Sequence, residues 1–141
     1  MAIDKAVIEK KLSILADYIR QIENMDFDQT SLSENIDIQQ LLSFRLQQAI
    51  ETAIDIVTHI IAGLLLLRQE TAKDAFEILE KEKIITPNLA KNMVLASGLR
   101  NIVVHGYQKI DFKRLFYDYK DDLADFRLFA KQIYEFLNKK T

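Results

Sequence analysis

A chain of 141 residues with three glycines, one proline and no cysteine has one domain's length and too few turn residues for hairpins or a loop-rich sheet. Its 49% hydrophobic and 28% charged content excludes disorder, and the missing cysteine excludes a disulfide framework, a thiolate metal site and a cysteine nucleophile. A net charge of −2 excludes a broad electrostatic nucleic-acid binder while leaving room for a local basic site.

Charges every few residues from Met1 to Lys11 argue against a signal peptide. The longest apolar window, Ile60 to Leu67, falls well short of the ~20 residues of a membrane span. The composition therefore implies a soluble, cytoplasmic helical domain over residues 1–141, with no membrane association.

Five helical segments follow from apolar spacing. The first runs from about Ile3 to Met25 on a stripe of Ile3, Val7, Ile14, Tyr18, Ile22 and Met25, and stops in the polar stretch Asp26 to Asn35. The second covers Ile36 to Leu67, with Leu41, Leu42, Phe44, Leu46, Ile50, Ile54, Val57 and Ile60 on its apolar side. At ~45 Å it is long enough to bend near Gly63 or to project towards a partner. The third opens at Thr71, whose spacing from Asp74 is a loose capping box, and turns Ala75, Phe76, Ile78 and Leu79 inward. The fourth opens at Thr86-Pro87, with a capping hydroxyl ahead of a first-turn proline, and continues to Gly106. The fifth runs from Asp111 to the C-terminus, with Asp121-Asp122 as a candidate break. These segments predict an all-α fold, an antiparallel bundle of four to five helices.

Most catalytic templates are absent: there is no Gly-rich phosphate loop, no H-E-x-x-H and no Gly-x-Ser-x-Gly elbow. His59, within the apolar second helix, reads as a core or seam histidine held by one hydrogen bond. The end of the fourth segment is richer, reading Leu99-Arg100-Asn101-Ile102-Val103-Val104-His105-Gly106-Tyr107. Arg100 can clamp a phosphate in two-point geometry, His105 can exchange a proton near neutral pH, and Tyr107 carries a modifiable hydroxyl. On an ideal helix Arg100 and His105 stand about 140° apart. They meet on one ligand only if the helix loosens at Gly106 or if two chains share the site. Leu99 to Lys120 holds five Lys or Arg against two Asp, so Lys109, Lys113 and Arg114 can gather an anionic backbone. A purely structural reading stands beside this one, with Arg100 paired to a carboxylate, His105 capping a carbonyl and Tyr107 in the core.

The spacing of Arg100, His105 and Tyr107 resembles the R-x4-H-x-Y signature of the all-helical HEPN superfamily. More narrowly, the chain resembles the HepT-like toxins. Arg45 to Ile56 is similar to that family's second helix, His59 to Ala62 to its continuation, Ala75 to Leu79 to a further block, and Gly98 to Tyr107 to the motif itself. Gly63 to Gln69 departs from the family, which often has a proline-containing turn there. The resemblance implies a dimeric, metal-independent ribonuclease with no cofactor, acting as a toxin beside a minimal nucleotidyltransferase antitoxin, MntA. It makes Arg100 and His105 catalytic, Asn101 supporting, and Tyr107 the acceptor of AMP from the antitoxin, with Tyr117 and Tyr119 as alternative acceptors. The resemblance further implies a homodimer or a larger hetero-oligomer that brings two motifs to one RNA-binding cleft. A different class of function stays open: a non-catalytic nucleotide-binding or scaffold partner of the transferase, using the same residues to grip a phosphate.

Overall fold

Apolar spacing and side-chain caps together set where the helices begin. The computed structural model describes residues 3–64, 70–99 and 110–139. Among these, the elements are α1 (Lys5–Glu23), α2 (Gln29–Glu34), α3 (Ile36–Gly63), α4 (Ala72–Lys81), α5 (Pro87–Ala96), a 3-10 turn (Ser97–Leu99) and α6 (Phe112–Lys139). The fold is all-α, as expected. Among the described residues no helix is long and apolar enough to cross a membrane.

Polar pairs between helices fix their directions. Lys11 meets Asp55 at 2.5 Å, and Arg45 Nη1 donates to the Gln21 carbonyl at 3.0 Å, so α1 and α3 are antiparallel. Lys5 donates to Asn138 and Arg127 pairs with Glu23, which makes α1 and α6 antiparallel as well. One apolar core runs through the bundle. Ile8, Leu15, Leu46, Ile50, Phe76 and Phe126 are among its fully buried members, and Phe76 and Phe129 meet edge to face with ring centres 6.1 Å apart.

Several expectations need correction. The stretch Asp26 to Asn35 is not a plain loop, because Asp28 and Ser31 form a reciprocal capping box that starts α2 and lets it bury Leu32. The buried line of α1 is Ile8, Leu15, Ile19 and Ile22, and Ile14 is exposed. On α3, Leu41 and Phe44 also face outward, Phe44 being 48% exposed. His59 is not in the core: it stands on the exposed side of α3, Nε2 3.7 Å from Asp55 Oδ1. The helix α3 closes at Gly63, with Leu64 as its cap residue, and Leu65 to Leu67 lie outside the described residues. No break occurs at Asp121-Asp122, since α6 is continuous for 28 residues.

Thr71 caps α4 as expected, its hydroxyl accepting from the Asp74 N–H at 3.1 Å. The helix α4 ends in a Schellman turn. Ile84 N–H reaches the Leu79 carbonyl and Lys83 N–H the Glu80 carbonyl, both at 2.9 Å, while Ile84 packs as a buried residue beside Leu79. Lys83 occupies the left-handed position of this turn with φ 60°, where glycine is the unstrained choice. Pro87 opens α5 as expected, but Thr86 makes no side-chain cap. Its N–H donates to Gln132 Oε1 at 2.9 Å and its hydroxyl accepts from Gln132 Nε2 at 3.3 Å, so Gln132 of α6 holds the start of α5.

Candidate functional site

The helix α5 buries Leu89, Ala90, Met93 and Ala96, then tightens into the 3-10 turn at Ser97. Ser97 Oγ donates back to the Val94 carbonyl at 2.5 Å, and Gly98 follows, so two weak helix formers stand together where the α-helix stops. The expected continuation to Gly106 lies outside the described residues beyond Leu99. The chain is described again at Ile110. Asp111 then caps α6, its carboxylate accepting from the Arg114 N–H at 3.1 Å.

A groove of about 490 Å³ separates the end of α5 and its 3-10 turn from the first turns of α6. Leu99 and Ile110 both line it, so the two residues that flank positions 100–109 open on the same groove. Arg100, Asn101, His105, Tyr107 and Lys109, the residues on which the motif's chemistry rests, lie outside the described residues. Lys113 and Arg114 are placed, both exposed on the first turn of α6. Arg114 Nε is 3.3 Å from Asp118 Oδ2, an exposed pair that leaves much of the guanidinium free for another anion. Lys113 has no ion pair with another described residue.

The groove also holds carboxylates that sequence reasoning did not single out. Asp118, Asp121 and Asp122 line it, with Asp125 one turn further along α6. Burial, reinforced by the charges of Asp125, Asp118 and Asp121, pushes Asp122 up to about 7. Burial also raises Asp125, opposed by a hydrogen bond from Asn92 Nδ2 at 3.2 Å. The signal was in the sequence: positions 118, 121, 122 and 125 follow the i, i+3, i+4, i+7 spacing of one helix face. Among the described residues no three His, Asp or Glu side chains are placed to hold a metal ion.

The two alternative tyrosines differ in environment. Tyr117 is 63% exposed and its hydroxyl donates to Gln29 Oε1 at 3.2 Å. Tyr119 is half-buried against Phe27, ring centres 5.4 Å apart, and burial raises its hydroxyl above the usual range.

A family profile described as "Ribonuclease HepT-like" matches residues 8–133. The chain belongs to this family. It is 36% identical to the tRNA nuclease HepT of Aphanizomenon flos-aquae over 139 residues, covering 96% of this chain and 92% of that protein. It is 28% identical to the mRNA nuclease HepT of Shewanella oneidensis over 127 residues, covering 90% of this chain and 96% of the relative. A solved structure of a tri-AMPylated Shewanella oneidensis HEPN toxin in complex with an MNT antitoxin superposes with a TM-score of 0.84 at 28% identity. That match covers 92% of this chain and 97% of the toxin. In this HepT-like chain the R-x4-H-x-Y residues, at positions 100–107, fall in sequence between two residues that line the groove, Leu99 and Ile110.

Proposed function

We propose that the chain is a ribonuclease toxin whose R-x4-H-x-Y residues, bracketed by Leu99 and Ile110, cleave RNA without a metal. The family match over residues 8–133 carries this reading, and the names of its relatives, a tRNA nuclease and an mRNA nuclease, support it. In the proposed reaction the RNA 2′-oxygen attacks the adjacent phosphorus and the 5′-oxygen leaves. The products are a 2′,3′-cyclic phosphate and a 5′-hydroxyl. His105 takes the 2′-hydroxyl proton and returns one to the leaving oxygen; Arg100 stabilises charge growing on the phosphoryl oxygens, a term of ~3–4 kcal/mol for a well-placed donor. Asn101 supports that arrangement, and Lys109, Lys113 and Arg114 attract the backbone. Two copies of the chain bring two motifs together, which answers the 140° separation of Arg100 and His105 on one ideal helix, about 100° per residue.

The partner in this reading is an MntA-like nucleotidyltransferase that transfers AMP to Tyr107. The AMPylated state of the structurally similar toxin, solved with its MNT antitoxin, supports it. A phosphodiester-linked AMP two residues from His105 adds a negative charge and bulk where an RNA phosphate must sit, so silencing follows from repulsion and occupancy.

The decisive experiment incubates purified wild type and His105→Ala with cellular RNA in EDTA. Wild type is expected to cleave, with cyclic-phosphate ends, and the variant to lose roughly a hundredfold or more in rate with its circular dichroism unchanged. Equal cleavage by the variant overturns the assignment. Uncleaved RNA with wild type, together with nucleotide-dependent shifts in melting, supports the non-catalytic binder instead. Tyr107→Phe is expected to stay toxic in the presence of the transferase; modification of that variant moves the acceptor elsewhere, with exposed Tyr117 the more accessible of the alternatives.

A further inference from the structure

The helix α6 carries two chemically opposite faces. Taking about 100° per residue, Lys113, Tyr117, Lys120, Arg127, Lys131 and Tyr134 fall within an arc of about 100°. All six are exposed, Tyr117 at 63% and Tyr134 at 54%. Over residues 113–138 Glu135 is the one carboxylate in that arc, while Asp118, Asp122 and Asp125 turn to the far side, towards α5. Arg127 is paired with Glu23 at the edge of α1; Lys113, Lys120 and Lys131 make no ion pair with another described residue. A chain with net charge −2 thus concentrates positive charge, interleaved with open aromatic rings, along one face of one helix.

We propose that this face is a track for single-stranded RNA, leading away from the motif segment along α6. The inference rests on the ribonuclease reading and extends it to how the substrate is held. Lysine ammonium groups spaced along the helix match the spaced charges of a polyanion, and exposed tyrosine rings offer stacking surfaces to unpaired bases of any sequence. Lys113 stands three residues beyond Ile110, a groove residue, and from there to Lys131 the track extends about 27 Å, the reach of several nucleotides of an extended strand. The acidic side of the same helix closes off the alternative course, since an RNA strand laid along the exposed carboxylates Asp118 and Asp121 meets like charge. Lysines on the track set the affinity and its salt dependence; the tyrosines add a contribution that salt does not screen.

The test uses the full chain and a fluorescein-labelled single-stranded RNA with 2′-O-methyl groups, which blocks the attacking oxygen so that binding is read without cleavage. Anisotropy titrations over a range of salt compare wild type, the double variant K120E/K131E, the double variant Y117L/Y134L and a charge-matched control, K10E/K73E, on α1 and α4. K120E/K131E is expected to bind roughly tenfold or more weakly. The slope of its log K against log salt is expected to fall by about 1.4, at ~0.7 for each phosphate that a lysine no longer neutralises. Y117L/Y134L is expected to weaken binding roughly fivefold or more at unchanged slope. The control is expected to match wild type. Equal affinity and slope for wild type and K120E/K131E overturn the track, as does an equal loss in the control. Sedimentation showing that K120E/K131E has lost self-association assigns the face to a protein interface and overturns it too. Wild type that binds the blocked RNA but leaves unmodified RNA intact refutes the ribonuclease reading and leaves the track standing; wild type that neither binds nor cleaves refutes both.

Discussion

The α1–α3 side of the bundle and the α5–α6 end are built from the same residue classes to opposite effect. Between α1 and α3 the contact is closed by Ile8, Leu15, Leu46 and Ile50, none of which is exposed, and the charges of Lys11 and Asp55 stay at the surface. Between α5 and α6 the contact is left open: Leu95 is 71% exposed, and Asp118, Asp121 and Asp122 line the groove beside Ala96, Leu99, Ile110 and Leu115. The first region is closed, and the second keeps an open groove with a half-buried carboxylate, Asp122. Close packing is given up at the groove that the flanks of the motif, Leu99 and Ile110, both line.

Truncation on the two sides separates them most sharply. Ile50→Ala is expected to cost about 2–5 kcal/mol, read from urea midpoints, while Leu95→Ala costs under ~0.5 kcal/mol. Similar costs for the two substitutions remove the contrast. The next effect concerns protons. The carboxyl of Asp122 titrates near 3.8 in the unfolded chain and about 7 in the folded one, so between those values the folded chain holds a proton that the unfolded chain releases. Its contribution therefore lowers stability as pH rises from about 4 to about 7 and levels above that. Asp122→Asn is expected to flatten this slope and to raise stability at about pH 8 on the order of 1–2 kcal/mol after solvent screening, with a shallower residual slope from Asp125. Thermal melts across that range that keep the wild-type slope in the variant sink the assignment. The smallest effect lies outside both regions. Lys83→Gly relieves the left-handed strain in the α4–α5 turn and is expected to add up to ~1 kcal/mol while leaving the pH slope untouched; a changed slope shows that the turn and the groove are coupled.

The legible parts of this fold were those written in local chemistry. Thr71 and Thr86-Pro87 mark two helix starts, Asp111 marks a third, and the apolar side of α3 is readable because its buried residues recur without interruption from Leu42 to Ile61. The role of the Thr86 hydroxyl was not readable, because its partner Gln132 is 46 positions away and only folding brings them together. The helix α2 was hidden by its polar composition, since Asp28 and Ser31 signal a loop as readily as a cap until Leu32 finds the core. Adjacent aspartates at 121 and 122 suggested a break because sequence shows their charge and not the burial that raises the carboxyl of Asp122 to near neutrality. For the candidate site, Lys113 and Arg114 were readable as exposed cations. The aspartates further along the same helix went unread, although their helical spacing was present. Arg100, His105 and Tyr107 were singled out by the chemistry of their side chains and by resemblance together.

Gln132 grips Thr86 through two hydrogen bonds at the start of α5, nine residues before Leu95 reaches the groove. Over that distance α5 rises about 14 Å. The two helices are thus pinned at Thr86–Gln132 and again at Asn92–Asp125, and they part only beyond that second pin, where Leu95 lines the groove. A change in the angle between them is felt most beyond the two pins, so a substitution at Gln132 would alter the aperture beside Leu99 and Ile110 without touching any residue that lines it.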